Sequence, residues 1–183
     1  MSELKRISTP LDETAILSLQ AGDRVSITGA VYTARDAAHK RLAEMMEKGE
    51  PLPFDFAGQI VYYAGPCPSP PGAVIGSIGP TTSGRMDAWA PLLIERGLKA
   101  MIGKGLRNSA VKEAIREFGG VYFAAIGGAA ALMARCVERA ETIAFPDLGT
   151  EAIRRLEVRD FPVIVAIDAR GRDIYDRQGT SGR

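Results

Sequence analysis

The fold class is decided by the segment Leu98-Lys99-Ala100-Met101-Ile102-Gly103-Lys104-Gly105, in which a short apolar run ends in a glycine-flanked turn. A helix is predicted to follow over residues 109–118. The same order of strand, glycine and helix then recurs in residues 121–126, Gly127-Gly128 and residues 129–135. Strands that alternate with helices in this way usually form parallel βαβ units. The segment therefore predicts an α/β fold with a mixed, largely parallel sheet.

The flanking sequence predicts further elements, from clusters of β-branched residues and from apolar residues at helical spacing. The apolar run at residues 73–78 fits a third unit of the same kind, followed by a polar loop and a helix. Further strands are predicted at residues 4–8, 24–33, 58–64, 140–145, 152–158 and 162–168, and further helices at residues 12–19 and 35–46.

The composition is typical of a soluble globular protein, with 46% hydrophobic and 25% charged residues among 183. We expect one domain over residues 1–183, frayed from about Arg177. The formal net charge is +1, so no excess of charge favours nucleic acid or an acidic membrane. The apolar runs are too short to span a bilayer, and residues 1–6 do not resemble a signal peptide. We therefore expect a cytoplasmic protein.

The two cysteines, Cys67 and Cys136, lie far apart in the sequence. Neither has a second cysteine or a histidine at the spacing of metal ligands. This chain therefore cannot bind a zinc ion or an iron–sulfur cluster with its own cysteines alone. Because an intracellular chain keeps its thiols reduced, we expect no disulfide between these residues. Because of their spacing, we also expect no ligand role for them.

The loop Gly79-Pro80-Thr81-Thr82-Ser83-Gly84-Arg85-Met86-Asp87 carries three consecutive hydroxyls, which make it a poor core segment. Its glycines allow backbone N–H groups to turn towards a ligand, and a helix predicted from Asp87 would add free donors and a positive dipole end. Arg85 adds a planar fork of donors that fits a carboxylate or a phosphate. The loop therefore predicts an anion site, with helix capping by its Ser and Thr side chains as the alternative.

Binding residues in open α/β sheets usually follow the carboxyl ends of parallel strands. Four segments meet that condition here: Arg35, the loop at residues 79–85, Gly103-Lys104-Gly105 and Gly127-Gly128. We expect these four segments to meet at one edge of the sheet.

Five short runs occur in order along the chain: Arg35-Asp36-Ala37-Ala38-His39-Lys40-Arg41, Tyr62-Tyr63-Ala64-Gly65-Pro66, the loop at residues 79–87, Lys104-Gly105 and Gly127-Gly128-Ala129-Ala130-Ala131. Together they resemble the β subunit, or C-terminal domain, of the class I iron–sulfur-dependent fumarases and L-tartrate dehydratases. The resemblance extends from about residue 5 to about residue 175, and the loop is its most specific part.

This resemblance implies a three-layer, swivelling β/β/α domain, related to the mobile domain of aconitase-like enzymes. It implies a reversible hydro-lyase reaction on a small dicarboxylate, either fumarate and malate or L-tartrate. It also implies a hetero-oligomer, in which a partner α subunit holds a 4Fe–4S cluster through three cysteines. The cysteine content of this chain agrees with that division, because Cys67 and Cys136 cannot supply three ligands.

The resemblance also implies roles for single residues. Thr81 matches the position of a base or proton relay, while Arg35, Arg85 and Lys104 match positions that bind the substrate. The prediction names Thr81 and Lys104 as catalytic, and Arg35, His39, Thr82, Ser83, Gly84 and Arg85 as substrate-binding, with no metal ligand in this chain.

Several of these residues have a structural alternative. Arg35 can be an arginine of a helix surface, and Lys104 a solvated turn residue. His39 lies one helical turn after Arg35 and is either a substrate contact or an exposed or capping histidine. We expect Asp36 to pair with Arg41 or to hold Arg35 in place.

Two other functions fit the same residues. A binding or regulatory module would recognise a small carboxylate or phosphate with this loop and carry out no reaction. An enzyme without metal would use the Thr, Lys and Arg side chains alone, although a single histidine leaves it short of acid–base groups. A cluster-loaded α subunit distinguishes these functions, because only the hydro-lyase subunit would then turn over substrate.

Overall fold

The computed structural model describes residues 3–125 and 130–176, so the predicted Gly127-Gly128 turn and the predicted frayed tail from Arg177 lie outside the described residues. None of the described helices is long and apolar enough to cross a bilayer. The helices are α1 (Glu13–Ser18), α2 (Asp36–Glu47), α3 (Ala90–Glu95), α4 (Ser109–Phe118) and α5 (Ala130–Arg135), with 3₁₀ helices at Ser83–Met86 and Pro146–Glu151. The strands are β1 (Lys5–Ser8), β2 (Arg24–Thr33), β3 (Ile60–Tyr62), β4 (Ala100–Gly103), β5 (Val121–Ala125), β6 (Val137–Ala144) and β7 (Ile153–Ile167).

The seven strands form one sheet in the order β1-β2-β3-β4-β5-β7-β6. Strands β1 to β5 pair with one another in that order, and all four of these pairings are parallel. Strand β7 runs antiparallel to β5, to β6 and to β2. Because β7 pairs with both β5 and β2, the sheet closes on itself through β2, β3, β4, β5 and β7. The predicted α/β class with a mixed, largely parallel sheet is confirmed.

Apolar side chains on the two faces of this sheet form two separate cores. Ile60 and Tyr62 of β3 belong to the first core, whereas Val61 belongs to the second, as the alternation of side chains along a strand requires. The first core takes residues from every strand and from helices α1 and α5. The second lies between the outer face of the sheet and helices α2, α3 and α4. Two sheet layers and one helix layer result, while the implied swivelling motion stays a prediction.

Strand β7 replaces the two strands predicted at residues 152–158 and 162–168. The expected break is a bulge: Asp160 has a left-handed φ of 50°, and the register with β2 shifts between Ile27 and Gly29. The Ser26 hydroxyl donates to Asp160 Oδ1 at 3.0 Å, which holds the bulge against β2. The chain thus continues through the bulge as one strand, which pairs with β2, β5 and β6.

The segment before the polar loop is another difference from the prediction. Residues 73–78 are not a strand, although Ile75 and Ile78 are buried in the first core. The helix after the loop also begins at Ala90 rather than at Asp87. Asp87 instead turns its carboxylate inwards, to Arg107.

A buried ion pair joins the end of the loop to the chain after β4. Arg107 Nε donates to Asp87 Oδ1 at 2.6 Å, and its guanidinium lies over the rings of Tyr63 and Tyr122. Asp87 Oδ2 accepts from the backbone N–H of Asn108, also at 2.6 Å. The Arg107 side chain is 0% exposed and that of Asp87 is 8% exposed. Each charge is removed from water and depends on the other for compensation.

We expect Asp87→Ala to lower the free energy of unfolding by about 3–5 kcal/mol, because it leaves the Arg107 charge buried without its partner. Urea unfolding followed by circular dichroism measures the change. Asp147→Asn is the control, because it breaks an exposed ion pair with Arg41 and should leave the unfolding midpoint nearly unchanged. An Asp87→Ala protein with the wild-type midpoint would contradict a structural role for the buried pair.

Candidate functional site

The register of the parallel strands brings their carboxyl ends to one edge of the sheet. Thr33 of β2 pairs with Tyr62 of β3, and Tyr62 pairs in turn with Ile102 of β4. Arg35 follows the end of β2, and Lys104 follows the end of β4. Two of the predicted cationic residues therefore leave the sheet on the same edge.

The loop at residues 79–87 lies across the ends of β3 and β4. The backbone N–H of Thr81 donates to the Tyr63 carbonyl at 2.7 Å, and that of Ser83 donates to the Lys104 carbonyl at 2.8 Å. These bonds hold the loop at the edge although no strand leads into it. Three of the four segments predicted to meet at this edge do meet there, and the fourth lies outside the described residues.

The three hydroxyl residues of the loop have different surroundings. Ser83 is buried, and its hydroxyl donates to the Tyr122 oxygen at 2.9 Å, because the Tyr122 proton is used by the Gly105 carbonyl, also at 2.9 Å. A Cβ at Gly103 would overlap the Ser83 oxygen, so glycine makes room for it. Thr82 is exposed and Thr81 is half-buried. The Ser83 hydroxyl is thus engaged inside the protein, whereas those of Thr81 and Thr82 remain candidates for ligand contact.

Helix capping does not account for these hydroxyls. Thr82 precedes the 3₁₀ helix Ser83–Met86, but its side chain makes no capping hydrogen bond. The residue that precedes α3 is Trp89, which also makes none. Gly84, by contrast, is exposed beside the hydroxyls, where a ligand can approach its backbone. The loop therefore keeps the anion-binding interpretation.

Arg85 links the loop to the first turn of α2. Its Nε donates to Asp36 Oδ1 at 2.9 Å, and its side chain is 54% exposed. The expected pairing of Asp36 with Arg41 is wrong, because Arg41 donates its two terminal nitrogens to Asp147 at 2.9 and 2.8 Å. The terminal nitrogens of Arg85 have no hydrogen-bond partner among the described residues. They are placed to bind a carboxylate or a phosphate.

Arg35 precedes α2 in extended backbone, so it is a residue of the sheet edge and not of the helix surface. Its side chain is 25% exposed, and its Nε lies 4.0 Å from Glu151 Oε1. That Nε is buried and has no hydrogen-bond partner in the described part of the chain. A Cβ at Gly65 would come within 2.7 Å of the Thr150 carbonyl oxygen and within 3.3 Å of the Arg35 Nη1 atom, so glycine leaves space for both. Arg35 is held in place but keeps an unused donor.

Lys104 completes the cations of this edge. It is exposed in the turn after β4, and it pairs with no carboxylate in residues 3–125 or 130–176. Arg35 and Arg85, in contrast, each have one acidic neighbour, Glu151 and Asp36. The edge carries more positive than negative charge, which favours an anionic ligand.

His39 is fully buried, so the exposed alternative is wrong. Its Nδ1 lies 2.8 Å from the Arg35 carbonyl, which can only accept, so Nδ1 carries the proton. Its Nε2 is buried and unpartnered among the described residues. Burial lowers the pKa of His39 to about 4, against the opposing effect of the bond to the Arg35 carbonyl, and the Arg107 charge lowers it as well. His39 is neutral at neutral pH, and its contact with substrate stays a prediction.

A polar network behind the loop, for which the sequence predicted no role, consists of Arg107, Asp87, Tyr63 and Tyr122. Arg107 joins Asp87, and its Nη2 also donates to the Tyr63 hydroxyl at 3.3 Å. Burial raises the pKa of the Tyr122 hydroxyl, which therefore stays protonated and donates to the Gly105 carbonyl at 2.9 Å. The position of Asp87 within the loop motif was the available signal, but no periodicity marks a buried arginine.

The described part of the candidate site is exposed at Thr82, Gly84, Arg85 and Lys104. Four cavities of about 230–510 Å³ in the described part of the chain are lined by other residues. The one of about 410 Å³ lies beyond Gly65, among residues 66–69, Thr150 and Arg154. Since small ligands are usually buried over most of their surface, this edge alone would leave one side of a bound anion uncovered.

The donors at this edge do not suit a metal cluster. No three His, Cys, Asp or Glu side chains converge to hold a metal ion within residues 3–125 and 130–176. Cys67 is exposed in a proline-rich loop, and Cys136, which follows α5, is half-buried. Hydroxyl, guanidinium and ammonium groups bind anions, whereas iron–sulfur clusters are bound by thiolates.

Comparison with known proteins shows what this chain resembles. The profile of the family described as "Fumarase C-terminus" matches residues 3–178. "Fumarate hydratase 2" of Leishmania major is 40% identical over 179 residues, which are 96% of this chain and 31% of that protein. "Fumarate hydratase class I, anaerobic" of Escherichia coli (strain K12) is 41% identical over 156 residues, which are 84% of this chain and 28% of that protein. "Putative L(+)-tartrate dehydratase subunit beta" of Methanocaldococcus jannaschii is 41% identical over 172 residues, 91% of this chain and 88% of its own. The chain thus spans under a third of the two fumarate hydratases.

The buried His39 predicts a pH dependence of stability. Its pKa is about 4 in the folded chain and near 6.5 when exposed, so the unfolded state binds the extra proton first. The contribution of neutral His39 to the free energy of unfolding is complete above pH 6.5. It is lost as the pH falls from 6.5 towards 4, and the loss amounts to roughly 3 kcal/mol. Urea unfolding at pH 7 and pH 4 should show this loss in the wild type and a smaller loss in His39→Gln. Equal losses in the two proteins would show that His39 is not the titrating group.

Proposed function

This chain belongs to the fumarase C-terminus family, and from that premise we propose that it is the β subunit of a two-subunit hydro-lyase. The reaction is the reversible hydration or dehydration of a small dicarboxylate, either fumarate and malate or L-tartrate and oxaloacetate. The observation that carries the proposal is the arrangement of Arg35, Thr81, Arg85 and Lys104 on strand ends and a loop that share one edge of the sheet.

The cations of this edge would bind the substrate carboxylates. Arg85 presents two terminal nitrogens in one plane, which match the two oxygens of a carboxylate. Arg35 and Lys104 add positive charge near the same edge. Removing a proton next to a carboxylate moves negative charge onto that carboxylate, so fixed cations stabilise the transition state more than the substrate. The same residues thus serve binding and catalysis.

Thr81 would handle the proton that leaves the carbon next to this carboxylate. Its hydroxyl makes no hydrogen bond with another described residue, and its backbone is fixed by the bond to the Tyr63 carbonyl. A threonine hydroxyl is a weak base unless nearby cations favour its ionised form. Arg85 lies on the same loop as Thr81, and Lys104 pairs with the neighbouring residue Thr82 at the end of β4. Lys104 would support the proton transfer by this charge.

A partner would cover the open side of the site. One relative of similar length carries "subunit beta" in its name, and that relative is covered over 88% of its length. The fumarate hydratases are much longer than this chain, which covers 31% and 28% of two of them. We therefore assign the missing side to an α subunit.

The same α subunit would hold the 4Fe–4S cluster. This chain offers two cysteines, one exposed and one half-buried, and its described residues do not fit a cluster. Such a metal centre would act as the Lewis acid for the departing hydroxyl. What this chain contributes is the binding of the carboxylates, their orientation and the proton acceptor.

The test of the function is reconstitution. We expect the purified chain to retain no iron in stoichiometric amount after anaerobic reconstitution and to leave fumarate, L-malate and L-tartrate unchanged. Adding an α subunit that carries a reconstituted cluster should produce turnover of one of these acids. Binding of a dicarboxylate by the complex without turnover would favour a regulatory module, and a stable cluster on this chain alone would contradict the division between subunits.

We expect Thr81→Ala to lower kcat of the reconstituted enzyme by roughly 10²–10⁴-fold, the usual range for positioned acid–base groups, with nearly unchanged stability. If Thr81 were only structural, the variant would lose about 1 kcal/mol of stability and keep its activity. Steady-state kinetics and thermal unfolding of the same preparations separate the two cases.

Thr82→Ala is the matched control, because it removes an exposed hydroxyl from the adjacent position. It should retain wild-type kcat, and Thr81→Ser should keep much of the activity because it retains the hydroxyl. Activity that survives in Thr81→Ala but is lost in Thr82→Ala would move the proton-handling role to Thr82.

A further inference from the structure

Asp36 links the loop of the candidate site to helix α2. It is the first residue of α2, directly after Arg35, and its Oδ1 accepts a hydrogen bond from Arg85 Nε at 2.9 Å. The two arginines come from segments that are distant in sequence, and this contact is the one ion pair that joins the loop to α2 within the described residues. Asp36 is not among the residues assigned above to substrate binding or to proton transfer.

We propose that Asp36 is a positioning residue that orients the Arg85 guanidinium, so that its two terminal nitrogens face the substrate carboxylate. This inference rests on the proposed binding of a dicarboxylate at this edge. A guanidinium can bind a carboxylate either through its two terminal nitrogens or through Nε and one of them. Because Asp36 occupies Nε, only the first arrangement remains available for the ligand.

The burial of the two side chains is consistent with this role. The Asp36 side chain is 27% exposed and its Oδ2 is buried, whereas the Arg85 side chain is 54% exposed. Asp36 also lies in the first turn of α2, where the helix dipole favours a carboxylate. The fixed partner is therefore Asp36, and Arg85 is the mobile side chain that it holds.

Without Asp36, Arg85 would adopt several rotamers, and binding would have to order it. Immobilising one such side chain typically weakens binding by roughly two- to tenfold. We therefore expect Asp36→Ala to raise the KM for the dicarboxylate several-fold, and kcat to fall less. Asp36→Asn keeps an oxygen that can accept from Arg85 Nε but lacks the charge, so its KM should lie between those of the wild type and Asp36→Ala.

A direct measurement of the contact uses the chain alone. In two-dimensional ¹H–¹⁵N spectra, the Arg85 Nε–H resonance, assigned by its absence in Arg85→Lys, should show slow exchange with water in the wild type. It should exchange faster in Asp36→Ala. Asp147→Asn is the control, because it removes the carboxylate that pairs with Arg41 on the same helix and should leave the Arg85 resonance unchanged.

A double-mutant cycle in the reconstituted enzyme separates positioning from a general structural effect. If Asp36 acts through Arg85, Asp36→Ala should raise KM in the wild type but have no further effect in Arg85→Ala. A several-fold rise in KM when Asp36→Ala is added to Arg85→Ala would overturn the inference. An unchanged KM in Asp36→Ala with normal turnover would also overturn it.

Calorimetric titration with fumarate and L-tartrate covers the case in which the complex binds an acid but does not turn it over. Weaker binding in Asp36→Ala, with the same dependence on Arg85, would then support the positioning role while the hydro-lyase function fails. Unchanged affinity in Asp36→Ala, or no dicarboxylate binding by the wild-type complex, would overturn the inference.

Discussion

The candidate site depends on the buried ion pair between Arg107 and Asp87. Asp87 ends the loop that carries Thr81, and Arg107 lies shortly after Lys104, so this pair adds to the backbone bond between Ser83 and Lys104 in tying the loop to the end of β4. Buried ion pairs are poor stabilisers, since an apolar pair of the same volume is often as stable, but two desolvated charges tolerate little separation. Such a pair is therefore better suited to setting a distance than to raising stability.

The sheet explains how a loop without its own strand can be held so firmly. The closure of the sheet through β7 gives each of the strands β2, β3, β4 and β5 a neighbour on both sides. The loop then uses backbone bonds to Tyr63 and Lys104, and Gly103 leaves room for the Ser83 side chain beneath it. Since the backbone and Ser83 provide the attachment, the side chains of Thr81 and Arg85 are not needed to hold the loop.

The sequence predicted the parts of this structure that leave a repeating pattern. The rhythm of strand, glycine and helix gave the α/β class, and it placed Arg35 and Lys104 at one edge because parallel strands end together. The loop lies at the same edge, although the strand predicted before it, at residues 73–78, does not form. Periodicity did not predict that β7 closes the sheet, because the bulge at Asp160 divides β7 into what the sequence pattern indicates as two strands. It also missed the partners of charged residues: Asp36 meets Arg85 from a distant segment, and no local spacing encodes that contact. The family resemblance, and not the pattern, supplied the roles of single residues.

The charges of this edge and its openness can be understood together. Exposed cations attract a dicarboxylate only weakly in water, because the dielectric constant is high and salt screens them. A partner surface that covered the edge would exclude water and strengthen every contact made by Arg35, Arg85 and Lys104. His39, directly behind Arg35, is kept neutral by burial and therefore adds no further positive charge at neutral pH. In the proposed enzyme, the edge would thus become a strong dicarboxylate site only when the α subunit closes it, which couples substrate binding to assembly.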